Sequence, residues 1–124
     1  MTEHWKTIEK DVTDIVTGFL VALQDGRRGN YLPYTQCAFR ARQVVPMLPL
    51  YQSFEITKVR KPTKGEDFPD DIARIAEVSL TIGRQRVVQG RLTVIREVWD
   101  EETQMHRADP EGEWGVCPTS WRPV

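Results

Sequence analysis

From its first residues the chain repeats an apolar side chain at steps of three and four: Trp5, Ile8, Val12, Ile15, Val16, Phe19, Leu20 and Leu23. Such steps stack side chains on one face of an α-helix. The spacing predicts a helix over 3–25 with a single apolar stripe, and Glu9, Lys10, Asp11, Thr13, Asp14 and Thr17 fill its other face. Thr2 is the expected N-cap, with Glu3 favourable in the first turn, and Gly26 stands where a left-handed residue closes a helix. Gly18 lies inside the helix at a cost of about 1 kcal/mol relative to alanine, which close approach of a neighbouring backbone would explain. A helix with one apolar stripe has to bury it against another layer. The remainder of the chain must supply that layer.

Period two follows. After a turn at 25–30, Asn30 is placed to cap a second, shorter helix over 31–44, with Pro33 in its first turn. Tyr31, Tyr34, Cys37, Ala38, Ala41 and Val45 make its narrower stripe, and Pro46 and Pro49 end it in an extended or turning path. Residues 50–60 then alternate, with Phe54, Ile56 and Lys58 on one side and Phe54 and Ile56 facing inward. Residues 73–82 alternate with Ala76, Val78, Leu80 and Ile82 on one face, and Gly83-Arg84-Gln85 makes a hairpin turn. The strand at 86–99 has two partly apolar faces, Val88, Leu92, Val94 and Val98 against Val87, Thr93, Ile95 and Trp99, so either face can be the inner one. Gly90 within it suggests a bulge or bend. Residues 100–112 read as a polar loop, 113–117 as a short last strand, and 119–124 as a tail pinned by Trp121. The expected fold class is α+β: one domain over 1–124, with the long helix and a second helix packed on a curved antiparallel sheet of about four strands.

At 124 residues, 40% hydrophobic and 28% charged, the chain can build a packed core. No apolar run approaches the roughly 20 residues of a membrane span. The first residues lack the basic and apolar regions of a secretory signal, so a cytoplasmic chain is expected. Bases dominate from Arg27 to Lys64 and acids from Glu97 to Glu113, while the formal net charge is -1. Such asymmetry suits solvated loops or steering of a partner. Lys58, Arg60, Lys61 and Lys64 lack interleaved aromatics, so nucleic acid is not an expected partner. Cys37 and Cys117 lie far apart with no histidine near them, so reduced thiols are expected, with no metal and no cofactor.

Three stretches resemble the NTF2-like superfamily. They are Phe19-Leu20-Val21-Ala22-Leu23-Gln24-Asp25-Gly26 followed by Tyr31, the hairpin from Ala76 to Trp99 turning at Gly83, and Gly112-Glu113-Trp114-Gly115-Val116. The resemblance implies a cone of antiparallel strands around the N-terminal helix, with a ligand or active site in its mouth. It also implies a homodimer paired through the outer sheet face, where Thr81, Thr93, Ile95 and Trp99 are expected. Pro46 and Pro49 depart from the family's pattern.

Proton-transfer chemistry in such a cone needs an inward base. Glu55 and Glu77 alternate away from the apolar residues, Asp14 lies on the polar side of the helix, and Glu97 points inward only if the 86–99 strand turns its less apolar face to the core. His4 is near the terminus and His106 in a polar loop. No catalytic residue is therefore assigned. Arg96 interrupts the better apolar face of its strand. An inward guanidinium needs a carboxylate or an anionic ligand, so Arg96 is either a ligand anchor or a structural ion-pair partner. Tyr31, Tyr34 and Trp114 either line a pocket mouth with it or fill the core. The expected function is a binding or assembly module for a small hydrophobic or anionic ligand. The alternative is a small isomerase or cyclase acting on a hydrophobic substrate.

Overall fold

The computed structural model describes residues 2–24, 30–36, 46–65, 69–84 and 86–124, with side chains in the first helix from Thr7 onward. Helix α1 spans Thr2–Gln24, so Thr2 already belongs to the first turn and does not precede it. Gly26, the expected closing residue, and Cys37 lie outside the described residues. Val12, Val16, Phe19, Leu20 and Leu23 are buried, and Ile8 and Ile15 pack partly against them. The stripe read from the sequence is the face that meets the sheet.

Among the described residues, six strands make that sheet: β1 Ser53–Arg60, β2 Ala73–Ile82, β3 Arg86–Asp100, β4 Met105–Ala108, β5 Glu113–Val116 and β6 Arg122–Pro123. All of their pairings are antiparallel. β1, β2 and β3 form the expected meander, and the long β3 carries the rest. Glu97 pairs with Ala108 of β4 and also with Glu113 of β5, so those two strands flank β3 on opposite edges. β5 lies across β3 from β2, because Val94 pairs with both Arg74 and Val116. The stretches expected as a polar loop and a tail thus supply β4 and β6. Neither MHRA nor RP alternates in polarity, and backbone pairing alone builds these strands.

The inner face of the sheet follows the register. Ala76, Val78 and Leu80 of β2, Leu92 and Val94 of β3, and Trp114 and Val116 of β5 join the α1 stripe in one core. Each fully buried Val, Leu or Phe contributes roughly 1.5–3 kcal/mol. Tyr51 adds a polar tie, its hydroxyl donating to the Leu20 carbonyl near the end of α1. β1 carries a register shift between Ile56 and Lys58. Phe54 and Ile56 face inward as expected, but the shift turns Val59 inward in place of Lys58, which stays exposed.

Several expectations change. Gly90 makes no bulge: the β2–β3 register runs through it unbroken, opposite Val78. Glycine is needed there because a Cβ would stand 2.4 Å from the Trp121 ring. Gly18 is explained by a side chain and not by a backbone, since its Cβ would stand 2.3 Å from a Tyr34 ring carbon. The second helix is not found at 31–36. Leu32–Tyr34 is a single 3-10 turn, and Thr35 is extended at φ -92 and ψ 165. Thr35 bridges Val116, and the Gln36 N–H donates to the Val116 carbonyl at 3.0 Å. Pairing with β5 has captured the backbone that a helix would have used, and residues 37–45 lie outside the described residues.

Thr93 and Ile95, expected on an outer dimer face, are 8% and 6% exposed within the single chain. Trp99, further along the same face of β3, is 49% exposed. Among the described residues no helix is long and apolar enough to cross a membrane.

Candidate functional site

Arg96 is two residues beyond Val94, so the β3 pleat puts it on the core-facing side of the sheet, and the register sets it opposite Trp114 of β5. Its guanidinium lies over the Trp114 ring, 4.8 Å from the centroid, and its Nε–H donates to the Gly112 carbonyl at 3.0 Å. An arginine on an indole face is held by the ring's quadrupole as well as by contact. The loop before β5 presents that carbonyl. Asp109 organises the loop by accepting from the Glu111 N–H at 2.8 Å and from Arg107 at 2.7 Å, while its own carbonyl accepts from the Gly112 N–H at 3.0 Å. The backbone N–H of Glu111, and then Arg107, hold the Asp109 carboxyl below the ordinary carboxylate range. This support is present above the ordinary carboxylate value and is lost as pH falls through the lowered one.

Arg74 of β2 shares the same ring, with its guanidinium carbon 5.7 Å from the Trp114 centroid. Burial pulls its pKa below the ordinary arginine range, Asp70 opposes that shift, and the charge of Arg96 adds to it. Arg74 spends its Nη1 on the carbonyls of Asp70 and Ala73, which is a structural role. Arg96 differs, forming no ion pair with any described carboxylate.

A groove of about 510 Å³ opens at this end of the sheet. It is lined by Asp11, Asp14 and Ile15 of α1, by Pro33, and by Arg96, Gly112, Glu113 and Trp114. Trp114 is 7% exposed, and its indole N–H has no acceptor among the described residues. Of the four residues singled out from the sequence, Arg96 and Trp114 are brought together here. Tyr31 and Tyr34 are not among the lining residues. They are half-buried and pack on the core, with Tyr34 filling the notch at Gly18. The sequence reading missed Asp11 and Asp14, whose signal was their spacing: Asp11, Asp14 and Ile15 stand at i, i+3 and i+4 and so share one helix face.

A second groove, of about 330 Å³, lies beyond Gly112 and Glu113 and is lined also by Glu97, Val98, Trp99, His106 and Glu111. Glu97 is on the outer face of β3, as its parity requires, yet is only 8% exposed. His106, expected in a loop, sits on β4 with its ring edge-on to Trp99 at 4.9 Å. Glu55 is exposed, and Glu77 pairs with Arg60 at 2.5 Å. Among the described residues, no group of three or more His, Cys, Asp or Glu is placed to hold a metal ion.

Comparison with models of known protein families, with curated proteins and with solved structures yields no match to this chain.

Proposed function

We propose that this chain is a non-catalytic binding module whose groove holds a small anionic molecule at Arg96. The observation that carries this reading is a half-buried guanidinium fixed by the Gly112 carbonyl and the Trp114 ring, lining a groove and without a carboxylate partner among the described residues. Two contacts orient it, and its remaining N–H groups match the fork geometry of a carboxylate or phosphate. One long helix packed on an antiparallel meander also supports the NTF2-like frame, in which one end of the cone stays open to a ligand. The competing reading, an isomerase or cyclase acting on a hydrophobic substrate, needs a base buried against the groove. Asp11 and Asp14 are exposed, so binding ranks first.

The test is calorimetric titration with a panel of small carboxylates and phosphate. Arg96→Ala is expected to weaken the best binder about tenfold or more, the worth of a charge-assisted hydrogen bond, and Arg96→Lys to restore part of it. Equal affinity for wild type and Arg96→Ala across the panel contradicts the proposal.

A second reading, self-association through the sheet, is favoured by the exposed Trp99. It stands on the β3–β4 hairpin opposite His106, on the same face of β3 as Thr93 and Ile95. An exposed indole on a sheet face suits a symmetric interface. Sedimentation at tens of micromolar, roughly the range for obligate pairing, is expected to show a dimer that Trp99→Lys dissociates. A clean monomer for the unaltered chain removes this reading.

A further inference from the structure

We propose that the ligand of the Arg96 groove is zwitterionic, a carboxylate that also carries an ammonium group; this rests on the anion-binding reading above and narrows it. The groove has two chemically opposite walls. On the sheet side stands the Arg96 guanidinium, seated on the Trp114 ring, while Glu113 of the same lining belongs by its place on β5 to the outer face with Glu97. On the helix side stand Asp11 and Asp14, one turn of α1 apart. Asp14 is bound to Lys10 at 3.0 Å, whereas Asp11 forms no ion pair with a described residue and is exposed.

A bare anion entering such a groove is drawn by one guanidinium and repelled by the helix-side carboxylates, which cancels much of the attraction. A bare cation meets the opposite conflict at Arg96. A molecule with an anionic end and a cationic end satisfies both walls, and each wall rejects the reversed orientation. Selection by the wrong charge as well as the right one is how a polar site separates close analogues. Ile15 and Pro33 add apolar surface to the lining and suit a short apolar spacer in the ligand.

The test is titration of the intact chain with three pairs of probes: glycine and acetate, 4-aminobutyrate and butyrate, 6-aminohexanoate and hexanoate. At least one amino acid is expected to bind about fivefold tighter than its amine-free partner, the upper end for a partly exposed charge pair. The double variant Asp11→Asn, Asp14→Asn is expected to erase that preference and to tighten the binding of the amine-free acid, which no longer meets the helix-side charge. Both positions are exposed on α1, so the double variant keeps the core intact. If the amine-free acids bind as well as the amino acids, or the preference survives in the double variant, the zwitterion inference falls while the Arg96 reading stands. If no probe of either kind binds, the zwitterion inference falls, and the Arg96 reading falls with it when phosphate also fails to bind.

Discussion

Phe19→Ala is expected to cost about 3–5 kcal/mol of folding stability, the range for deleting a fully buried phenylalanine. Phe19 is 0% exposed, on the α1 face that packs between β1, β2 and β5. Removing its ring forfeits the burial of apolar surface and leaves a hole that neighbours on two rigid layers cannot close. Domains of this size hold about 5–15 kcal/mol in total, so the variant stands near the edge of folding. Urea unfolding followed by tryptophan fluorescence measures the loss directly. Val21→Ala, on the exposed side of the same helix, is the control and is expected to stay within about 0.5 kcal/mol. A Phe19→Ala cost below that of Val21→Ala would mean that the helix does not shield its stripe on the sheet.

Gly115→Ala is expected to destabilise by about 2–3 kcal/mol although it adds one methyl group. A Cβ at this position would stand 2.7 Å from both the Thr35 carbonyl oxygen and the Gln36 nitrogen. Both are backbone atoms, held by the Thr35–Val116 bridge and by the Gln36 N–H on the Val116 carbonyl, so neither swings aside as a flexible side chain does. Relief requires the 32–36 segment to lift from β5. Pro33 of that segment and Trp114 of that strand both line the groove, so the same substitution is expected to weaken carboxylate binding. Thermal unfolding and calorimetry on one preparation test both effects. Stability equal to that of the unaltered chain contradicts the close approach.

Much of the fold was legible because period is a local property. The stripe from Ile8 to Leu23, the inward set of β2 and the turn at Gly83 each follow from spacing alone. Arg96 was legible as the polar interruption of an apolar face, and its pairing with Trp114 followed once β5 was placed. What stayed hidden depends on contacts between distant residues. Gly90 and Gly18 look alike as glycines inside regular elements, and it takes the rings of Trp121 and Tyr34 to explain them. The 31–36 segment has fair helix signals, yet a strand edge some 80 positions away along the chain claims its backbone. Asp11 and Asp14 read as a solvated helix face, and such a face becomes a groove wall only when another element stands opposite.

The most direct measurement is a two-dimensional amide spectrum of the labelled chain titrated with hexanoate and 6-aminohexanoate. Tryptophan indole N–H groups give separate signals, and the indoles of Trp114, Trp99 and Trp121 sit in different surroundings. Binding in the Arg96 groove is expected to move the Trp114 indole and the Arg96 Nε–H together, while the Trp99 and Trp121 indoles stay in place. Movement of Trp99 with Trp114 unmoved would contradict the account, because it would put the ligand at the β3–β4 hairpin instead.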